Sequence, residues 1–102
     1  PATITAPQAL HLLNSPQIRA WVKNFATRVA PKPETPTAKA VQNGYAIALG
    51  RPPGKVELAA SVAFIEAQTK TYAAAKSATA RQSALADFCQ VLIGLNEFIY
   101  ID

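Results

Sequence analysis

One histidine, His11, and one cysteine, Cys89, stand in a chain of 102 residues. Nucleophilic catalysis would need the two to meet in space beside an orienting group such as Asn14 or Asn96. Cys89 sits on an apolar stripe between Phe88 and Leu92 and reads as a buried, inert thiol, because a reactive thiol wants partial exposure and positive surroundings. His11 lies on the flank of a short helix, where a surface or interdomain hydrogen bond suits it. The alternative is ligation of a haem iron carried by another domain. One histidine without cysteine or carboxylate neighbours at ligand spacing makes a poor metal site. Glu97 and Asp102 form the one carboxylate pair with general acid-base potential, although acids near a chain end more often cap helices or pair with cations. No catalytic, cofactor-binding or metal constellation emerges, and the enzyme question stays open with "no" the expectation for this chain by itself.

The cations are more informative. Residues 1–55 hold seven Lys/Arg against one acid, and residues 56–102 hold three against five. Arg19, Lys23, Arg28, Lys32, Lys39, Arg51 and Lys55 are spaced out with little aromatic interleaving, so a solvated face or an acidic partner is expected and nucleic acid is not. Arg51, in "LGRPP", sits on a loop stiffened by Gly50 and two prolines, and its planar fork can take a carboxylate with two hydrogen bonds. Glu97 and Asp102 are the acids proposed for it. Arg19, Lys23, Arg51 and His11 are the residues assigned to an interface.

Periodicity must supply the elements that position these side chains, and it is helical almost throughout. Ala6, Ala9, Leu10 and Leu13 mark a first stripe that stops at Asn14. Ser15 then caps a second helix with Pro16 at its first position, where the missing N–H had no partner anyway. Ile18, Trp21, Val22, Phe25 and Val29 follow at three-four spacing. Trp21 is taken as core, with an exposed anchor as the alternative. "APKPETP" (30–36) is a proline-rich linker between helices two and three and the best place for a flexible loop. Thr35 and Pro36 repeat the cap-then-proline arrangement. Val41, Gly44, Tyr45, Ala48 and Leu49 form a third stripe closed at Gly50. Glu57 complements the positive end of a fourth helix, whose stripe is Leu58, Val62, Ile65, Thr69 and Tyr72. It fades near Lys76 into a turn at 77–79. Leu85, Phe88, Cys89, Leu92 and Leu95 define a fifth helix.

Asn96 is a natural terminator, since Asn tolerates left-handed backbone. "FIYID" beyond it is either an extended tail clamped across a helical groove, with Phe98 and Tyr100 on one side, or continued helix. Glu97 and Tyr100 join Asn14, Gly50, Cys89 and Asn96 as structural assignments. Deleting residues 98–102 is expected to remove several large side chains from the core.

The expectation is one all-α domain spanning 1–102, a compact bundle of about five helices. Leu13, Trp21, Phe25, Tyr45, Leu49, Val62, Ile65, Phe88 and Leu92 are placed inside. About 100 residues suit one core, and no run approaches the ~20 apolar residues that span a bilayer, so no membrane insertion is expected. The lack of any Met and the start at Pro1 suggest a piece cut from a longer chain.

"APQALHLLNSP", "ALGRPPGKVEL" and "FCQVLIGLNEFIYID", in that order and spacing, resemble the C-terminal planctomycete-type domain of unknown function of large exported cytochrome-c-linked proteins. The resemblance spans essentially the whole chain. It implies a helical module closing a multidomain protein at the periplasm or cell surface, with c-type haem attached upstream; the two-cysteine, one-histidine attachment motif is absent here. It supplies no agreed activity. The function expected is a non-catalytic structural or docking module, packing on upstream domains of its own polypeptide or on a redox partner. The alternatives are a contributor to an enzyme or redox site completed upstream and, remotely, a helix-turn-helix nucleic-acid binder around "LLNSPQIRAWVKNF".

Overall fold

A computed structural model describes residues 15–95, and among these there are four helices and no strand: α1 Pro16–Val29, α2 Thr37–Leu49, α3 Lys55–Ala74 and α4 Ala80–Leu95. The further helix read ahead of Asn14 and the tail beyond Leu95 lie outside the described residues, as do His11, Leu13, Asn14, Asn96, Glu97, Tyr100 and Asp102. The Ser15 hydroxyl accepts from the Ile18 N–H at 3.2 Å, with Pro16 in the first turn. Thr35, by contrast, does not cap α2. Pro36 occupies the cap position and makes no side-chain cap bond. The Thr35 hydroxyl instead accepts from the Lys32 N–H at 3.2 Å, closing a turn inside the connection.

That connection, residues 30–36, is strapped at two carbonyls, and the helix end before it at a third. Arg81 donates through Nη1 to the Pro33 carbonyl at 2.9 Å and through Nη2 to the Thr35 carbonyl. Asn43 Nδ2 donates to the Val29 carbonyl at 2.9 Å, satisfying one of the acceptors that a helix end leaves open. The Arg81 strap thus ties the start of α4 to the loop that leads from α1 into α2.

The core is built chiefly by α4, which buries Leu85, Phe88, Cys89, Leu92 and Ile93 against Val22, Phe25 and Val29 of α1, Val41 and Tyr45 of α2, and Ile65 of α3. Phe25, Tyr45, Ile65, Phe88 and Leu92 are therefore inside, as the spacing predicts. Leu49 and Val62 are half-buried at the edge of the cluster. Trp21 is a correction: it is 46% exposed, with its ring tilted over Phe25 at 5.2 Å. At 3.6 residues per turn it lies roughly 90° from the centre of the face set by Val22, Phe25, Ala26 and Val29. Spacing of three from Ile18 and four from Phe25 placed it on the stripe, but only at its border. Leu95 shares the phase of the buried Phe88 to within about 20° yet is 52% exposed, standing as the last residue of α4.

At Gly44 the α2 backbone comes close to α4. A β-carbon there would stand 2.8 Å from Leu92 Cδ1 and 3.0 Å from a Phe88 ring carbon. Gly50 ends α2 in the left-handed conformation at φ 68°. The end of α3 uses the same device with a side chain that does not favour it. Lys76 has φ 61°, and the Ser77 and Lys76 N–H groups donate back to the Tyr72 and Ala73 carbonyls, the paired bonds of a Schellman ending. Lys76→Gly should relieve the left-handed strain and stabilise the fold by about 0.5–1 kcal/mol, less than the full left-handed penalty because glycine also loosens the unfolded chain. Chemical denaturation should show a higher midpoint at unchanged slope; a lower midpoint would refute the assignment.

Candidate functional site

Two polar constellations occupy the surface, one at the α2–α3 turn and one between α1 and α4. At the turn, Arg51 engages Glu57 with both arms of its fork, Nη1 to Oε1 at 2.8 Å and Nη2 to Oε2 at 3.1 Å, while its guanidinium carbon sits 5.5 Å from the Tyr45 ring centroid. The same Glu57 Oε1 accepts from the Gly54 N–H at 2.8 Å, which is the backward half of a capping box at the start of α3. Among the described residues the carboxylate partner of Arg51 is thus Glu57, and Arg51 serves to close the Pro52-Pro53-Gly54 turn.

The Arg51 hydrogen bond, and after it the Gly54 N–H, pull the Glu57 carboxyl down from its ordinary 4.5 to about 2. A carboxylate lowered by folding adds stability above its unfolded pKa, and that contribution disappears as pH falls through the folded value. The window therefore runs from about 4.5 down to about 2. Carboxyl-carbon NMR titration should place the Glu57 midpoint near 2, and Arg51→Gln should move it up toward the ordinary value. A wild-type midpoint at the ordinary value would mean that the clamp does not hold in solution.

Cys89 is fully buried, and burial pushes its thiol up to about 12. A thiol so placed is neither exposed nor ionised. Thiol reagents should label it only on unfolding; rapid labelling of the folded chain would show that the α4 face is wrongly phased. Among the described residues no cluster of His, Cys, Asp or Glu could hold a metal ion. None of the helices described is long and apolar enough to cross a membrane.

The second constellation is a groove of about 730 Å³ between α1, the 30–36 connection and the first half of α4. Arg19, Lys23 and Ala26 of α1, with the capping Ala30 just past its end, fall one above another at helical spacing and form one wall. Across from them stand Arg81, Leu85, Ala86 and Asp87 of α4, with Tyr72 of α3. The Tyr72 hydroxyl donates to Asp87 Oδ2 at 2.7 Å, and Gln68 Nε2 donates to the same oxygen at 2.8 Å. The bond to Asp87, then burial, raises the Tyr72 pKa, opposed by the charge of Arg19. Lys32 lines the loop end, so four cations face one carboxylate. Arg81 is committed to the loop carbonyls, while Arg19, Lys23 and Lys32 make no ion pair among the described residues. The positive end of the α4 dipole opens onto the same space.

Two of the four residues assigned to an interface, Arg19 and Lys23, thus share one groove. Arg51 is not among its lining residues. Sequence places Lys32 only among the spaced cations and Tyr72 only on the α3 stripe, and it gives no sign of Arg81 or Asp87 at this site. The four-residue step from Arg19 to Lys23, continued by Ala26 and Ala30, is the one local signal that could have announced the wall.

No curated protein and no solved structure matches the chain. A family model does match: its description is "Protein of unknown function (DUF1553)", under the name PSD1, and it covers residues 1–65, which takes in α1, α2 and the Arg51–Glu57 turn. That is more than half of the sequence, and the chain belongs to the PSD1 family of proteins of unknown function.

Proposed function

We propose that the chain is a non-catalytic docking module that closes a longer, exported, multidomain protein of planctomycete type, associated with a c-type cytochrome and working at the periplasm or cell surface. Its partner is the upstream part of the same polypeptide or a redox protein, and c-type haem, where present, is carried outside this chain. The observation that carries the reading is the α1–α4 groove, where three cations stand without ion-pair partners among the described residues beside small apolar side chains. Charge that is neither paired nor buried contributes little to the fold, whereas lined along a groove it accelerates and orients encounter with a partner of opposite sign. The buried, protonated Cys89 speaks against thiol chemistry.

The test has two arms. The reading frame ahead of Pro1 should encode a haem-attachment motif of two cysteines followed by His, and the polypeptide it encodes, made separately, should form a complex with the 102-residue chain that weakens as salt rises. Absence of any complex at low salt would sink the docking reading. A haem spectrum or substrate turnover from the chain by itself would replace it with a catalytic one.

A further inference from the structure

We infer that the α1–α4 groove is built for an acidic peptide segment in extended conformation; this deepens the docking reading and rests on it. Geometry sets the length. From Arg19 to Ala30 the wall rises about 17 Å at 1.5 Å per residue, which matches about five residues of extended chain at roughly 3.3 Å each. Arg19 and Lys23 are one helical turn apart, about 6 Å along the axis. Alternate residues of an extended chain repeat at about 6.6 Å, so an acid-x-acid sequence brings two carboxylates into register with the two cations. Lys32, at the loop end of the same groove, is placed for a third acid some residues further on.

The remaining surfaces select against nucleic acid. The apolar lining includes Ala26, Ala30, Leu85 and Ala86, which accept small side chains and offer no aromatic platform for bases. The one aromatic present, Tyr72, has its hydroxyl bonded to Asp87. The Asp87 carboxylate repels phosphates and acidic side chains alike, so its discrimination lies in what it can accept. It can accept from the backbone N–H of a peptide, a donor that nucleic acid backbones lack.

The experiment is fluorescence anisotropy at low salt, with the 102-residue chain added to a labelled six-residue peptide, acetyl-EAEAAE-amide. The comparison probes are its all-glutamine counterpart, a short single-stranded DNA and inorganic polyphosphate. The glutamate peptide should bind and the glutamine peptide should bind at least about tenfold more weakly, as expected when several partly exposed charge pairs are removed together. The double variant Arg19→Glu/Lys23→Glu should also lose about tenfold with its thermal melt retained, because both side chains are exposed. Lys39→Glu/Lys70→Glu, which changes net charge equally outside the groove, should bind like the parent.

Failure of the glutamate peptide to bind, tighter binding of DNA or polyphosphate, or equal loss in the two double variants would overturn the inference. An upstream polypeptide that docks with Arg19→Glu/Lys23→Glu unimpaired would also overturn it while leaving the docking reading intact. Peptide binding without any upstream complex would do the reverse.

Discussion

Phe88→Ala should lower the stability of the chain by about 3–5 kcal/mol, the usual cost of emptying a core aromatic site. Phe88 is 2% exposed, within the buried cluster to which all four helices contribute. Its ring lies 6.4 Å from that of Tyr45 and borders the α2 backbone at Gly44. Truncation removes the transfer energy of the ring and leaves a cavity that the closely spaced backbones around it cannot fill. Domains of this size are stable by only about 5–15 kcal/mol, so a large part of the total is at stake. Urea denaturation followed by circular dichroism should show the midpoint fall by a large fraction of its value, or a chain already unfolded in buffer. A loss below about 1 kcal/mol would mean that Phe88 is not at the centre of the core.

Gly44→Val should cost about 2–3 kcal/mol by the opposite mechanism, overpacking. The first added carbon already falls 2.8 Å from Leu92 Cδ1 and 3.0 Å from the Phe88 ring. Both neighbours are buried, Leu92 completely, so neither can swing away without displacing something else. The two further methyls of valine deepen the collision, and β-branching adds rotamer strain within the helix. Gly44→Ala is the informative companion. Alanine gains about 1 kcal/mol of helix propensity over glycine, so its net loss should be smaller than that of valine. A chain stabilised by either substitution would show that α2 and α4 stand further apart than described. Leu92→Ala introduced beside Gly44→Val should recover part of the loss, because the two sites share one volume.

What could be read from sequence divides along the range of the interactions. The start of α1 was legible because its cap and proline act within three residues, and Ser15 holds the Ile18 N–H. The end of α2 was legible because glycine, as at Gly50, takes a left-handed φ without strain. Phe25, Ile65, Phe88 and Leu92 were legible because each lies near the middle of its stripe. Trp21 fits the same spacing at its border, where only the packed neighbours decide whether a position is covered, and Leu95 fits it in phase but stands exposed as the last residue of α4. Thr35 offered a cap, but its hydroxyl went to the Lys32 N–H, a turn bond that competes with helix capping for the same oxygen.

The groove was half legible. Arg19 and Lys23 are neighbours on one helix, whereas Lys32, Arg81 and Tyr72 reach the same space from three other parts of the chain. Arg81 lies 46 residues beyond Thr35, whose carbonyl it holds, and no local pattern announces a strap of that span. Arg51 reads from sequence as a fork in search of a carboxylate. Glu57 reads separately as a helix-start acid, and the turn formed by Pro52, Pro53 and Gly54 brings the two together.

The account turns on the α1–α4 groove being the surface that meets a partner. The most direct measurement is amide chemical-shift mapping of the isotopically labelled chain as the polypeptide encoded ahead of it is added at low salt. Perturbed amides should gather at residues 19–33 and 78–87, the two sides of the groove, and should return to their free positions as ionic strength shrinks the Debye length to about 3 Å at 1 M. Perturbations centred instead on the exposed Ile47 and Val56, or shifts indifferent to salt, would contradict the account.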